Sequence, residues 1–293
     1  MGQRPEGFST SLIDLGIEVG CLVDGDVPVT GITHDSTQIQ PGDIFVAIPG
    51  LERHGIDFLE QAIQRGAVAV ASDAHGVEVA AQQHLPTLTL RHPRNDMAAL
   101  AAAVYGHPER SLQLVGVTGT NGKTTTTHMI RSLLMNAGRT VGLIGTLGSF
   151  INQQAIPSVR TTPKSTDLYA LLALMAQRGA DTVVMEVSSH ALVLDRVAGL
   201  QFDVSVFTNL SQDHLDFHGD MESYFQAKQL LFAPARSRHA VVCVDDAWGR
   251  TLAESLQVSV DTLTVTGQQA AWSVNDITAE FGHTKFVLEH AMS

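Results

Sequence analysis

The stretch "GVTGTNGKTTTTHMI", residues 116–130, decides the architecture: a glycine-flanked lysine and four threonines follow directly on the apolar run "LQLVGV" at 112–117. A glycine-rich turn between a strand and a helix start lets backbone N–H groups and the positive end of the helix surround a phosphate. A lysine then neutralises charge and a hydroxyl ligates magnesium. Gly119, Thr120, Asn121, Gly122, Lys123, Thr124 and Thr125 fill that turn and the first helical positions, with Thr124 placed for the metal. The strict P-loop pattern asks for a glycine where Val117 stands, and the tighter G-T-N-G-K-T points away from an ordinary GTPase or kinase. A GTPase would also need an N-K-x-D segment for guanine, which the chain lacks.

Outward from this loop, short apolar strands alternate with amphipathic helices. The strands read as "RTVGLIG", "DTVVMEVSS", "FDVSVFTNL" and "HAVVCVDD", and the helices as "KTTTTHMIRSLLMNAG", "STDLYALLALMAQRGA" and "MESYFQAKQLLFA". Such alternation predicts an α/β fold with a mostly parallel sheet covered on both faces, and ligands beyond the carboxyl ends of its strands. The last stretch, "WSVNDITAEFGHTKFVLEHAMS", has the alternation of an antiparallel hairpin turning at "FGH". No capping element follows it, so the reading expects a chain that stops short of its natural end. Ahead of the loop, "DIFVAIPG" is a strand, "IDFLEQAIQRGAVAVAS" a helix, glycine stop and buried strand, and "NDMAALAAAVYGHPER" an Ala-rich helix ended by Gly106 and Pro108. The break at "GHPERS" separates a small α/β domain, residues 1–110, from a central domain, residues 111–293.

The 293 residues suffice for two domains, and 18 basic against 30 acidic residues give a net charge of −12. That charge repels a nucleic-acid backbone, so an anionic ligand must be met by local donors. Cys21 and Cys243 match no metal spacing or disulfide framework. The N-terminus lacks the apolar core of a signal peptide, and no window approaches the roughly 20 apolar residues of a membrane helix. The expectation is a cytoplasmic monomer with no membrane or nucleic-acid partner.

Three further features carry chemistry. Glu186 closes the apolar run "TVVMEVSS" where a carboxylate for a magnesium nucleotide sits, although a strand-end glutamate is also commonly solvated. The loop "TNLSQDHLDFHGD", residues 208–220, gathers Asp213, His214, Asp216, His218 and Asp220, which could bind a metal, cap the next helix or be solvated. Lys228 lies on a helix whose apolar face is Tyr224, Phe225, Leu231 and Phe232, where a solvated charge is the ordinary expectation.

In order along the chain, "HDSTQIQPGDIFVAIPG", "GTNGKTT", "MEVSSHAL" and "FTNLSQDHLDFHGDMESYFQAKQLLF" resemble the Mur ligases, and within them the branch that adds a third residue to UDP-MurNAc-L-Ala-D-Glu. The resemblance covers nearly the whole chain. It implies an N-terminal domain that holds the UDP end of the substrate and a central ATPase domain, incomplete at its C-terminal end. The Rossmann-like C-terminal domain that brings the amino acid is expected to be absent. It implies ATP and Mg2+ as cofactors and an amide ligation through an acyl phosphate on the D-Glu side chain. The incoming amine belongs to meso-diaminopimelate, or alternatively to L-lysine. A fragment of this extent is expected to bind substrate, to bind ATP weakly and to be inactive alone. Carried over, Lys123, Glu186, His214 and Lys228 form the catalytic set, with Thr124, Glu186, His214 and Lys228 around the metal. Lys228 becomes the lysine this family carbamylates, in line with burial favouring a neutral amine. Ser36, Thr161, Thr162, Ser188 and Arg196 fall at the substrate, and Arg160 and Leu194 stand where some relatives carry amide side chains. Competing expectations are a folylpolyglutamate synthase or another Mur ligase and, from a different class, a nucleotide-binding module without turnover.

Overall fold

A computed structural model describes residues 4–50, 53–156 and 161–291. Its first sheet has five strands, β1 (Leu22–Asp24), β2 (Gly31–Thr33), β3 (Asp43–Ala47), β4 (Ala69–Ser72) and β5 (Thr87–Thr89), in the order β1-β5-β4-β3-β2. Only β1 with β5 is antiparallel. Helices α1 (Leu12–Val19), α2 (Leu59–Gln64), α3 (Ala74–Ala81) and α4 (Pro93–Val104) flank it. Strands β3 and β4 are buried at every position, as a parallel sheet covered on both faces requires.

The second sheet begins with β6 (Gln113–Thr118), which feeds α5 (Lys123–Asn136). Then come β7 (Val141–Gly145), a hairpin of β8 (Gly148–Ile151) and β9 (Gln154–Ile156), α6 (Ser165–Gln177), β10 (Thr182–Glu186), α7 (Ser189–Val193) and β11 (Phe202–Phe207). Next are α8 (Leu215–His218), α9 (Met221–Gln229), β12 (Ser237–Cys243), α10 (Ala247–Ser255), β13 (Ser259–Thr264), β14 (Trp272–Glu280) and β15 (His283–His290). The strands lie in the order β9-β8-β7-β10-β6-β11-β12-β13-β14-β15. The seven from β7 to β14 are mutually parallel, and antiparallel strands close both edges. After β6 the chain builds β7 and β10 on one side and then crosses to β11 on the other. The carboxyl end of β6 is therefore the switch point at which such sheets hold ligands, and the Gly119–Gly122 turn lies there.

The C-terminal hairpin turns between Glu280 and His283, as its alternation predicts. It projects as a ribbon, with β15 exposed along its whole length. The β8–β9 hairpin, α10 and β13 were not legible: their apolar residues are too few and too short in run to declare a period. The strand read as "FDVSVFTNL" ends at Phe207, because Thr208 and Asn209 are spent on the loop described below. Apolar packing is continuous between the two sheets: Met97, Ala98 and Leu100 of α4 belong to the same buried cluster as Leu168, Leu171 and Leu172 of α6. Polar ties reinforce the junction, with His34 Nδ1 2.7 Å from Thr166 Oγ1 and Gln177 Nε2 donating to Glu6 O at 2.7 Å. Among the described residues no helix is long and apolar enough to cross a membrane.

Candidate active site

Gly119 and Gly122 take positive φ values of 144° and 86°, which turn the chain from β6 into α5. At Gly119 even a methyl group is excluded, since a Cβ would stand 1.9 Å from Thr208 Oγ1. The segment after β11 grips this turn. Thr208 Oγ1 donates to Asn121 O at 2.6 Å, Asn121 N donates to Asn209 Oδ1 at 3.0 Å, and Thr120 N donates to Asn209 O at 2.9 Å. Thr208 and Asn209 therefore hold the loop in place, and in the sequence their signal is only their place at a strand's carboxyl end. Among the described residues no side chain caps the first turn of α5, whose first N–H groups lack intrahelical partners and stand at the loop, and Thr125 lies exposed in that turn.

Glu186, at the end of β10, is 1% exposed, which removes the solvated alternative. Its Oε1 accepts from Thr124 Oγ1 at 2.9 Å and from Thr146 N at 2.8 Å, and its Oε2 accepts from Thr146 Oγ1 at 3.1 Å. A buried carboxylate needs such donors. The oxygens of Thr124 and Glu186 also suit a small hard cation, because adjacent corners of an octahedron with bonds of about 2.1 Å lie about 3 Å apart.

Lys228 is equally buried, at 1% exposure, so the solvated reading of its helix position is corrected. Its Nζ donates to Gly119 O at 2.8 Å and lies 4.5 Å from the centre of the Tyr224 ring. Burial, and secondarily the charge of Lys123, push its pKa down to about 7. Lys123 folds back onto the loop, donating to Gly119 O at 2.8 Å and Thr120 O at 2.9 Å. Burial lowers its pKa too, against the pull of Glu186 and Asp213. Tyr224 joins the parts, with its hydroxyl 3.3 Å from Thr120 Oγ1.

The acid-rich loop divides by role. Asp220 caps α9, accepting from Ser223 N at 2.7 Å. His218 Nε2 lies 2.9 Å from Ser189 Oγ. Asp213 and Asp216 are exposed. His214 takes a left-handed φ of 52°, is about half exposed and sets its ring edge-on to that of His190 at 5.0 Å. His190 also stacks on Phe217 at 4.0 Å, and burial lowers the pKa of both His190 and His218. Among the described residues no three His, Cys, Asp or Glu side chains gather as a metal cluster. Any ion here would rest on the Thr124–Glu186 pair together with other donors.

Of the residues expected at the substrate, Thr162 Oγ1 donates to the main-chain oxygen of Glu186 at 2.9 Å, and Arg196 Nη1 donates to Thr162 O at 3.2 Å. Thr161 Oγ1 lies 3.2 Å from Thr146 Oγ1. Ser188 caps α7 by accepting from Ala191 N, and Leu194 ends that helix. Ser36 stands in the first sheet's domain, buried and donating to Gln61 Oε1 at 2.7 Å. Arg160 lies outside the described residues. The structure thus brings the loop, Glu186, Lys228, Thr161, Thr162 and Arg196 into one contact network, while Ser36 is separate from it.

Residues 117–292 match the model of the Mur ligase middle domain, and residues 28–109 that of the Mur ligase family catalytic domain. The chain belongs to the Mur ligase family. Among its curated relatives is the UDP-N-acetylmuramoyl-L-alanyl-D-glutamate--2,6-diaminopimelate ligase of Streptomyces avermitilis, 49% identical over 94% of this chain and 54% of the relative. The protein of that name in Corynebacterium glutamicum is 45% identical over 86% of this chain and 50% of the relative. The chain spans about half the length of the curated relatives it matches. A solved UDP-N-acetylmuramoyl-L-alanyl-D-glutamate--2,6-diaminopimelate ligase superposes with a TM-score of 0.74 at 27% identity, covering 90% of this chain and 54% of that one. MurF of Acinetobacter baumannii shares the fold at a TM-score of 0.68 and 16% identity, over 99% of this chain and 59% of that one. The Mur ligase fold thus accounts for both sheets.

Proposed function

We propose that this chain supplies the substrate- and ATP-binding part of an amide ligase that adds meso-diaminopimelate to UDP-MurNAc-L-Ala-D-Glu in the cytoplasm. Its N-terminal domain, residues 1–110, would hold the UDP end, and residues 111–293 the nucleotide. The observation that carries the reading is the bond from Thr124, in the first turn of the phosphate-loop helix, to the buried Glu186. It joins a phosphate cradle to a carboxylate whose oxygens, with the Thr124 hydroxyl, are of the kind a small hard cation takes. The names of the curated relatives support diaminopimelate over L-lysine as the added amino acid.

By this reading the D-Glu side-chain carboxylate attacks the γ-phosphorus of ATP and expels ADP. The amine then attacks the acyl phosphate, losing a proton and expelling phosphate. The difficulty is holding a carboxylate against a polyanion, so cationic and donor groups must be fixed in advance. Lys123 and the free N–H groups of α5 serve the phosphates. A magnesium ion held by Thr124 and Glu186, with His214 as a further donor, would neutralise phosphate charge. Lys228, with a pKa of about 7, offers a neutral amine at physiological pH. That amine can add CO2, lose a proton and become an anionic carbamate for the metal. Thr161, Thr162, Ser188 and Arg196 would line the path of the peptide, and Ser36 the nucleotide end.

Calorimetric titration of the purified chain with UDP-MurNAc-L-Ala-D-Glu, with UDP-MurNAc-L-Ala and with ATP and magnesium tests the proposal. Preference for the D-Glu-bearing compound, with magnesium-dependent ATP binding, is the expected outcome. Failure to bind either UDP compound would count against it.

A further inference from the structure

We propose that Thr146 is the positioning residue that fixes the carboxylate of Glu186 and ties it to the Thr161–Thr162 segment. The inference rests on the nucleotide- and metal-binding reading above and concerns a residue that reading does not use.

Thr146 follows the last residue of β7, and it touches both oxygens of one carboxylate. Its main-chain N–H donates to Oε1 at 2.8 Å and its hydroxyl to Oε2 at 3.1 Å. Two donors from one residue set the plane of the carboxylate as well as its position, which a single bond leaves free to rotate. The preceding residue is shaped to the same end: a Cβ on Gly145 would stand 2.4 Å from Glu186 Oε1. The end of β7 is therefore cut away to admit the carboxylate, and Thr146 closes over it. Oε1 accepts from Thr124 and from Thr146 N, and among the described residues the Thr146 hydroxyl is the donor to Oε2.

That hydroxyl has one proton, and giving it to Glu186 leaves its oxygen to accept from Thr161 Oγ1 at 3.2 Å. The next residue, Thr162, donates to the main-chain oxygen of Glu186 at 2.9 Å. The Thr161–Thr162 segment thus reaches Glu186 twice, directly at the backbone and through Thr146 at the side chain. A ligand seated against Thr161 acts on the metal-binding carboxylate through one hydroxyl.

The test compares Thr146→Val, which keeps shape and N–H but loses the hydroxyl, with Thr146→Ser, which keeps the hydroxyl. ATP affinity is measured by calorimetry on the purified chain with magnesium and with EDTA. The valine variant is expected to lose about tenfold of the affinity that magnesium adds, the worth of one hydrogen bond to a charged group. Metal-free ATP affinity should stay within about twofold, and serine should restore the parent's behaviour. Full magnesium dependence in the valine variant, or equal loss in the serine variant, overturns the proposal alone. Absence of magnesium-dependent ATP binding in the parent overturns the site reading and this proposal with it. Should valine abolish the cooperative melt, Thr161→Val is read in the same way. It removes the hydroxyl that donates to Thr146, and about a threefold loss is expected.

Discussion

Lys123 and Lys228 place their ammonium nitrogens on the same acceptor, the main-chain oxygen of Gly119, each at 2.8 Å. One comes from the helix that follows the loop and the other from α9, over a hundred residues along the chain. Two like charges on one carbonyl in a buried site favour deprotonation of the more deeply buried partner, and Lys228 is that partner.

The pH dependence follows from this. The folded pKa of Lys228, about 7, lies below its ordinary 10.5, so between those values the unfolded chain holds a proton that the folded chain lacks. Stability contributed at this position rises with pH through that window, and the penalty is complete below it. Lys228→Met should therefore stabilise the chain by about 2 kcal/mol at about pH 6, with the gain shrinking toward about pH 9. Urea midpoints at several pH values check the trend, and a gain that grows with pH would contradict it.

The neutral amine also has a chemical consequence. In bicarbonate, intact-mass measurement after chemical trapping should find the mass of one CO2 on Lys228, more at about pH 8 than at about pH 6. Lys228→Met should carry none, and an adduct that persists in that variant would place it elsewhere.

Gly119→Ala puts a methyl group into Thr208 Oγ1 at a φ that side chains avoid. The turn must move, so ATP affinity is expected to fall by about tenfold or more, with a stability loss of about 1–3 kcal/mol. Titration and melting of the same variant separate the two effects.

Tyr224 offers a graded test of the scaffold. Tyr224→Phe loses the hydroxyl contact to Thr120 but keeps the ring under Lys228, and should cost about 1 kcal/mol. Tyr224→Leu loses both, and should cost about 2–4 kcal/mol by denaturant unfolding.

The C-terminal ribbon should be the least protected part of the sheet. A two-stranded ribbon is marginal alone, and Ile277, Phe281, Phe286 and Leu288 are exposed on it. Amides of residues 278–288 are expected to exchange hydrogen faster than those of β6 or β10, by mass spectrometry after brief labelling.

Much of the site was legible because its signals are local. Gly119, Gly122, Lys123 and Thr124 occupy one turn, and Glu186 ends an apolar run whose period announces a strand. The burial of Lys228 was to be expected only through family resemblance: on its own helix it looks like a solvated charge. Nothing in "ESYFQAKQ" says that the loop of another strand lies across it. Thr146, Thr208 and Asn209 carried no residue-type signal, since threonine and asparagine at a strand end are ordinary turn formers.

The sequence by itself determined the alternation of strands and helices, the phosphate turn and the acidic balance, because backbone propensity and period act over a few residues. The tertiary structure decided which strands are neighbours, and so everything that depends on adjacency. With β10 between β7 and β6, Glu186 meets Thr124 and Thr146. With β11 beside β6, Thr208 excludes a side chain at Gly119. With α9 packed beneath the loop, Lys228 loses its water. The charge of a lysine or the reach of a carboxylate depends on what surrounds it within a few ångströms, and in this chain those surroundings come from residues tens to a hundred positions away.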